Sequence, residues 1–418
     1  MNKSKIVVAV LVLLLLPIFT TTSVVGDKSV GALDGGITLY VGGIGPGNYT
    51  KIQDAIDNAS DGDTVFVYNG TYYENIIINE NINLVGEDKD TTIIDGCGSN
   101  KAVKICANNV WISGFTVQNT TRYKDIWMSS GIEIYQSDFV SIKNNIFLNN
   151  YNSVSMINST GNIFRNNIMF NCSISIYGYS FSYYIQDIDT SNIANGKPIY
   201  YYRDSAGLTP PSNAGELILV NCSDFNITNL NIDNDSISIQ ICYSHNNIVE
   251  NNSFFNNAEG IFLFQSNFNI IRNNTCYGND FDGIFLYFSN YNTVQNNTCS
   301  NNIGGIVLYD SENNKILRNT VKNNHPLSFL IYNSNKNDII CNNVIDSPNG
   351  GHALLDRRSF FNNWDRNYWN KWVGLKFKLF RSFPKIIIGF IEIIDKPYKP
   401  IPYFAFDLHP AGKPYDIM

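Results

Sequence analysis

The sequence predicts an all-β protein, a single-stranded right-handed parallel β-helix built from coils of about 22 residues. Three observations predict it: a serine recurs at nearly constant spacing, apolar residues alternate on short segments, and asparagines recur at a fixed place between those segments. The recurring serines are Ser137, Ser159, Ser180, Ser223, Ser244, Ser266, Ser289, Ser311, Ser334 and Ser359. The wider step from Ser180 to Ser223 is interpreted as two coils, with Tyr202 in the place of the serine expected between them. A repeat of this length over more than half the chain indicates a solenoid.

Residues 1–26 are predicted to be a signal peptide. Lys3 and Lys5 precede an apolar run over 6–19, which is short for a bilayer span and typical of a secretory signal. Val24 and Gly26 suggest cleavage after Gly26, and the alternative is an uncleaved anchor. In both cases the body of the protein is exported.

Residues 27–100 are predicted to hold an N-terminal cap and the first coils. Thr50 and Gln53 have the spacing of a capping box, and Ile52, Ala55 and Ile56 follow at helical spacing. One amphipathic helix over 50–60 should therefore cover the open end of the first coil, which would otherwise expose strand edges.

Residues 101–370 are predicted to form the repeats. The inward apolar pairs are Ile261 with Leu263, Ile284 with Leu286, and Ile306 with Leu308. An Asn-rich turn and a second short apolar pair follow each, so a coil holds two or three short strands. Amides stacked in one column are expected at Asn145, Asn167, Asn252, Asn274, Asn297, Asn319 and Asn343.

Residues 371–418 are predicted to form an irregular C-terminal cap. This stretch is basic and apolar before it becomes rich in proline. Its apolar segment over 386–394 contains Gly389 and Glu392, so it is too short and too polar to span a membrane. A membrane-surface role is the alternative.

Composition limits the partners. The formal net charge is −7, and the chain has no basic block, which argues against nucleic acid. The eight cysteines form no Cys-x-x-Cys pair. Cys276 and Cys299 occupy equivalent inward places and are interpreted as core thiols or a disulfide, and Cys97 with Cys106 as a possible loop closure. N-x-Ser/Thr sequons such as Asn251 suggest a glycoprotein.

Several segments resemble known proteins. Residues 49–74, 82–86 and 92–96 resemble the cap and first coils of pectin-lyase-like right-handed β-helices. The repeats resemble the NosD-type or CASH-domain branch, as do residues 195–202, 217–222, 367–370 and 409–417, which fit its archaeal surface members. The resemblance implies the fold and leaves the activity open, since one fold hosts many functions.

NosD itself is associated with copper delivery, which implies clustered Met, Cys or His. The four histidines here, His245, His325, His352 and His409, are widely separated. Copper handling is therefore the least favoured of the functions that the resemblance suggests.

The alternation places aromatic side chains on the outer face of successive coils. Phe264, Tyr287, Tyr309 and Tyr332 form one predicted column, and Phe262 and Phe285 form a second. Four rungs span about 14 Å, enough for two or three stacked sugar rings. We interpret both columns as a candidate carbohydrate-binding site, the alternative being aromatics that only stabilise the sheet.

An enzyme is the alternative class. Polysaccharide lyases of this fold, as a family, use acidic residues that hold Ca²⁺ beside a basic residue, and glycoside hydrolases use convergent carboxylates. The catalytic candidates are Asp280, Asp282, Asp310 and Arg318, and the competing interpretation is turn acids with a solvated arginine. Ca²⁺ is expected only for the lyase; otherwise no cofactor or metal is predicted.

The sequence thus favours a secreted or cell-surface module that binds carbohydrate or serves as a rigid scaffold, and leans away from an enzyme. The expected partner is a polysaccharide or a cell-surface glycan. Membrane contact is expected only through the N-terminal signal or anchor, or through the C-terminal cap.

Overall fold

The computed structural model of the chain describes residues 36–121, 129–345, 353–356, 359–370, 385–391 and 401–417. The predicted signal peptide, His352 and most of 371–400 lie outside these residues. None of the helices in the described ranges is long and apolar enough to cross a membrane. The chain divides into two compact units, residues 1–162 and 163–418.

The described residues of the first unit, 36–121 and 129–162, contain thirteen short strands. In chain order, β1 to β13 are Thr38–Val41, Thr64–Val67, Gly70–Tyr73, Ile76–Ile78, Asn83–Gly86, Thr92–Asp95, Lys101–Ile105, Trp111–Ser113, Thr116–Gln118, Ser130–Tyr135, Ser141–Lys143, Ile146–Leu148 and Asn152–Ile157. They pair in parallel as β1–β2–β5–β8–β11, β3–β6–β9–β12 and β4–β7–β10–β13. After β1, each coil of this unit therefore contributes one strand to each of three parallel sheets.

The predicted N-terminal helix exists but is shorter, and its cap is different. Helix α1 covers Ile52–Ile56 and buries Ile52, Ala55 and Ile56. The capping box is wrong, because the helix begins after Lys51 with no side-chain cap. Instead the Glu74 carboxylate accepts hydrogen bonds from the backbone N–H groups of Ile52 (2.9 Å) and Gln53 (3.0 Å). A distant residue thus satisfies the free donors of the first turn.

The second unit begins with six strands that are less regular. In chain order, β14 to β19 are Ile163–Arg165, Ile168–Phe170, Ile174–Tyr177, Asp187–Ile188, Ile193–Ala194 and Lys197–Arg203, with a 3₁₀ helix at Phe181–Tyr184 between β16 and β17. Strands β18 and β19 are antiparallel and turn at Asn195 and Gly196, both in the left-handed region (φ 49° and 79°). The chain reverses there, as an Asn-Gly hairpin predicts.

Regular coils follow. In chain order, β20 to β40 are Glu216–Val220, Asn226–Thr228, Asn231–Asp233, Ile237–Cys242, Ile248–Glu250, Ser253–Phe255, Glu259–Phe264, Ile270–Arg272, Thr275–Tyr277, Asp282–Tyr287, Thr293–Gln295, Thr298–Ser300, Gly304–Tyr309, Lys315–Leu317, Thr320–Lys322, Leu327–Tyr332, Asp338–Ile340, Asn343–Ile345, Ala353–Asp356, Asn363–Asp365 and Tyr368–Trp369. From β20 to β37, each strand pairs in parallel with the strand three places later. This confirms the predicted parallel β-helix.

The core of these coils is a stack of aliphatic side chains in register. Leu263 lies level with Leu286, and Leu286 with Leu308, all fully buried, as the alternation predicts. Cys276 and Cys299 are also level with each other and buried as free thiols, which agrees with the core interpretation. Cys97 and Cys106 are exposed and free.

The serines form a hydrogen-bonded column. The backbone N–H of Ser289 donates to Oγ of Ser311 (2.9 Å), and that Oγ donates to the Tyr309 carbonyl (2.8 Å). The same bonds repeat from Cys222 through Ser244, Ser266, Ser289, Ser311 and Ser334 to Ser359.

The wide serine step was interpreted wrongly. Cys222, not Ser223, is the rung before Ser244. Ser180 is exposed and precedes the 3₁₀ helix rather than ending a coil strand. The interval therefore contains this helix and the β18–β19 hairpin, where the coil pattern is interrupted.

Three asparagine ladders run through the second unit. They are Asn247, Asn269, Asn292, Asn314, Asn337 and Asn362; Asn252, Asn274, Asn297, Asn319, Asn342 and Asn367; and Asn257, Asn279, Asn302 and Asn324. The predicted member Asn343 is off by one residue, because Thr320 pairs with Asn343 and so Asn319 is level with Asn342. Each amide satisfies polar groups that would otherwise be buried without partners.

The C-terminal segment closes the second ladder. Strands β41 (Lys385–Ile391) and β42 (Ile401–Asp407) are antiparallel, so the cap is more regular than predicted. The Asp407 carboxylate accepts hydrogen bonds from Asn367 N (2.9 Å), Asn367 Nδ2 (3.1 Å) and Trp369 Nε1 (3.0 Å). The last rung therefore has an acceptor that no further coil supplies.

Candidate functional site

The aromatic columns have the predicted register. Phe264 pairs with Tyr287, Tyr287 with Tyr309, and Tyr309 with Tyr332. Their ring centroids are 5.4, 5.0 and 4.2 Å apart in that order. In the second column, the rings of Phe262 and Phe285 are 5.5 Å apart. The side chains thus form the continuous outer stack that the alternation predicts.

This stack is covered rather than open. Phe264 is 1% exposed and Tyr287 is 9% exposed. The 3₁₀ helix places Tyr184 on Phe264 with ring centroids 5.4 Å apart, and the hydroxyl of Tyr179 lies 3.3 Å from that of Tyr287. The expectation of an exposed stacking surface is therefore wrong, and carbohydrate binding by these rings stays a prediction that requires the covering segment to move.

Four carboxylic acids lie at or just before the first residues of strands in the same parallel stack. Glu216, Glu259 and Asp282 are the first residues of β20, β26 and β29, and Asp235 lies two residues before β23. Burial raises the pKa of Glu216 well above its usual range and that of Asp235 to about 8. Burial, followed by the charge of Asp282, raises the pKa of Glu259 to about 8. Burial likewise raises the pKa of Asp282 to about 7.

One of these acids, Glu216, and the amide of Gln240 hold strand β16 against the outer face of the sheet. Glu216 accepts hydrogen bonds from the Ser173 hydroxyl and from the Ile174 N–H (3.3 Å). Gln240 donates to the Ile174 carbonyl (2.9 Å) and to Glu216 (2.8 Å), and its Oε1 accepts from the Ile176 N–H (3.3 Å). Side chains of β20 and β23 thus satisfy backbone groups of β16 that no neighbouring strand pairs there.

The predicted catalytic residues lie at different places around the coil. Asp282 begins β29, whereas Asp310 follows β32 and hydrogen-bonds the Asn333 amide. Arg318 is an exposed turn residue after β33, and Asp280 is half-buried in the turn before β29. Only Asp282 belongs to the row of buried acids.

Within the described part of the chain, no three His, Cys, Asp or Glu side chains are grouped so that they could hold a metal ion.

Sequence reasoning missed two features. Glu216 and Asp235 were not candidates, although an acid that begins the apolar segment Glu216–Val220 is a signal for a buried polar contact. The exposed rings of Phe268 and Tyr291 were missed because they lie in a turn. The alternation along a strand does not tell which side chains of a turn face outward.

Comparisons with known proteins agree with the architecture. Residues 190–371 match the family model described as "Periplasmic copper-binding protein (NosD)". A "Cell surface glycoprotein" of Methanothermus fervidus is 32% identical over 32% of this chain and 27% of its own length. This chain therefore spans about a quarter of that relative.

Solved structures are similar at low identity. The A-module of the Azotobacter vinelandii mannuronan C-5 epimerase AlgE6 is 16% identical and covers 76% of this chain and 87% of its own, with a TM-score of 0.30. An alginate lyase from a Paenibacillus species is 14% identical and covers 78% and 99%, with a TM-score of 0.30.

The matched residues begin just before the β18–β19 hairpin and extend through the regular coils, so the family match and the described ladders cover the same segment. The described residues of this segment form a parallel β-helix, and the segment is similar in sequence to the NosD family.

Proposed function

We propose that the chain is a cell-surface structural module, a rigid β-helix body held outside the cell. The observation that carries this proposal is the set of serine and asparagine ladders, which link successive coils of the second unit through buried hydrogen bonds. Each rung fixes its neighbours, so local opening breaks several buried bonds at once. The name of the Methanothermus relative and the predicted export signal support the location.

The outer face of the long strands supports a structural role over a catalytic one. Its aromatic rings and acids pack against β16 and the 3₁₀ helix. Glu259 and Asp235 each have a carboxyl oxygen that is buried without a hydrogen-bond partner, and such groups hold their protons at neutral pH. A lyase or hydrolase instead needs its carboxyls in contact with the polysaccharide.

The proposal is tested on cells of the native host and on the purified protein. Intact cells are treated with protease or with a membrane-impermeant biotin reagent, and we expect the protein to be labelled while a cytoplasmic marker is not. The purified protein is then incubated with alginate, pectin and neutral polysaccharides, with Ca²⁺ and with chelator, and new reducing ends are measured. Recovery only inside intact cells, or calcium-dependent cleavage, would overturn the proposal.

A further inference from the structure

The corner between the long strands and the following short strands carries two exposed aromatic rings. Phe268 is 56% exposed and Tyr291 is 53% exposed. Their ring centroids are 5.1 Å apart and the ring planes differ by 8°. We call Phe268, Tyr291 and the adjoining Asn267 and Asn290 the aromatic corner. It lies away from the covered columns described above.

Both rings stand on left-handed backbone, with φ of 61° at Phe268 and 59° at Tyr291. Bulky residues are uncommon there, and such strain concentrates at functional positions. Equivalent corners of neighbouring coils carry Asp224, Asn246, Asn313 and Lys336. Asp and Asn tolerate this backbone.

Packing explains other aromatic residues on left-handed backbone. The rings of Tyr243 and Phe288 lie 5.5 and 6.2 Å from that of Phe264, in the covered column. Phe268 and Tyr291, by contrast, keep more than half of their surface in water. Two adjacent coils thus combine backbone strain with exposed apolar surface. Burial in the covered column, which explains Tyr243 and Phe288, does not explain Phe268 and Tyr291.

Oriented amides flank the rings. Asn267 Oδ1 accepts a hydrogen bond from Asn290 N (2.7 Å), and Asn290 Oδ1 accepts one from Glu312 N (2.6 Å). Because the two oxygens are engaged, each amide has a fixed orientation and leaves its Nδ2 donor for another partner. Glu312, with Lys336 3.8 Å away, adds an acceptor and a donor on the next coils.

We propose that the aromatic corner binds a neutral hexopyranose oligosaccharide. The apolar C–H face of a sugar ring packs on Phe268 and Tyr291, and its hydroxyls accept hydrogen bonds from Asn267 and Asn290. Flat amphipathic rings and oriented amides suit a ligand that has an apolar face and a polar edge. The acidic chain, with a pI near 5.1, disfavours a nucleic acid at the same rings.

The test measures binding of cellohexaose, laminarihexaose and mannohexaose to the full chain by calorimetry. The double variant Phe268→Asn with Tyr291→Asn places at both corners the residue that neighbouring coils carry, so the backbone is preserved. We expect at least one hexaose to bind the parent protein and its affinity to fall at least tenfold in the double variant. Tyr277→Asn, which removes a ring that is 45% exposed on β28, is the matched control and should leave the affinity unchanged.

A second variant tests the amides. Asn290→Asp keeps the acceptor for Glu312 N but removes the Nδ2 donor, and we expect a similar loss of affinity with an unchanged melting temperature. No binding of any of the three hexaoses to the parent protein, or equal binding by the double variant, would overturn the site. Neither outcome affects the proposed structural role, which rests on the ladders.

Discussion

At the scale of single residues, one buried asparagine side chain forms hydrogen bonds to both neighbouring coils. Asn297 Oδ1 accepts from Asn274 N (2.9 Å) and Asn274 Nδ2 (3.0 Å), while Asn297 Nδ2 donates to the Ile271 carbonyl (2.9 Å) and to Asn319 (3.0 Å). One side chain therefore serves three coils. Its neighbour Asn296, on left-handed backbone, bonds the next coil only through its main chain.

Removal of one ladder amide should be costly. We expect Asn297→Ala to lower the free energy of unfolding by roughly 2–4 kcal/mol, because buried groups left without partners cost about 1–3 kcal/mol each. The measurement is urea unfolding followed by circular dichroism. Asn296→Gly is the matched control, since glycine accepts the same backbone, and equal losses in the two variants would contradict the role of the ladder.

The residue pattern allowed most positions of the serine and asparagine ladders to be predicted. The serine spacing and the repeated Asn-Asn turns specify the ladder positions to within one residue, as the shift from Asn343 to Asn342 shows. The partner of Ser244 could not be predicted, because a search for serine passes over Cys222. Its backbone N–H donates to Ser244, and its Sγ donates to the Val220 carbonyl (3.4 Å) as the serine hydroxyls do in other rungs. A thiol thus takes the place of the hydroxyl at this rung.

At the scale of elements, a side chain that faces outward from its coil need not be exposed to solvent, and the aromatic columns show this difference. Alternation shows that Phe264 and Tyr287 point away from the coil interior, and this was confirmed by the register. It cannot show that another segment covers them, since Tyr184 reaches Phe264 from 80 residues earlier in the chain. Contacts this distant in sequence leave no periodic pattern.

The covering segment is open to a direct test. Tyr184→Ala removes a fully buried ring that stacks on Phe264, and we expect a loss of roughly 3–5 kcal/mol, as for other large-to-small changes in a core. The variant should also bind a dye that reports exposed apolar surface. Tyr183→Ala, a half-buried neighbour in the same 3₁₀ helix, is the control; a Tyr184 variant as stable as this control would show that the cover contributes nothing.

The buried acids of the same face predict an unusual pH dependence. Because the pKa of Glu259 is about 8 in the folded chain and near 4.3 when unfolded, the folded state holds its proton between about pH 4 and pH 8 while the unfolded state does not. The stabilisation is thus fully present below pH 4 and falls as the pH rises to 8. Since the pKa values of Glu216, Asp235 and Asp282 are raised too, we expect Glu259→Gln to remove only the part that Glu259 contributes, on the order of a few kcal/mol between pH 5 and pH 8.

The measurement compares urea midpoints of the parent and of Glu259→Gln at both pH values. Asp224→Asn, an exposed acid on the turn before β21, is the control and should keep the slope of the parent protein. Parallel pH profiles for the parent and Glu259→Gln would show that the carboxyl ionises freely in the folded state.

At the scale of the whole molecule, a short return of the chain to its last coil completes the second unit. Asp407 accepts three hydrogen bonds from Asn367 and Trp369, and Ala411 N donates to the Asn367 carbonyl (2.9 Å). The sequence indicated a cap after residue 370 but not its partner, since nothing in the proline-rich tail repeats. The motif around His409 therefore has a structural explanation, as the continuation of the segment that ends the ladder.

Asp407→Ala should therefore destabilise the end of the second unit first. Three buried donors lose their acceptor, and we expect a loss of roughly 2–4 kcal/mol. Amide hydrogen exchange should show the loss of protection spreading from residues 363–370 toward earlier coils. Asp416→Ala, at an exposed position, is the control, and uniform loss of protection in the Asp407 variant would contradict closure at this end.

The asparagine ladder also gives the second unit an electrical direction. In each rung from Asn252 to Asn367, the Nδ2 donor points to the next coil and the Oδ1 acceptor to the previous one. The amide dipoles add as peptide dipoles do in a helix, with their positive end at the last coil. Asp407 places its carboxyl oxygen at that end, so the terminal residue of the ladder donates to an acceptor as each earlier residue does.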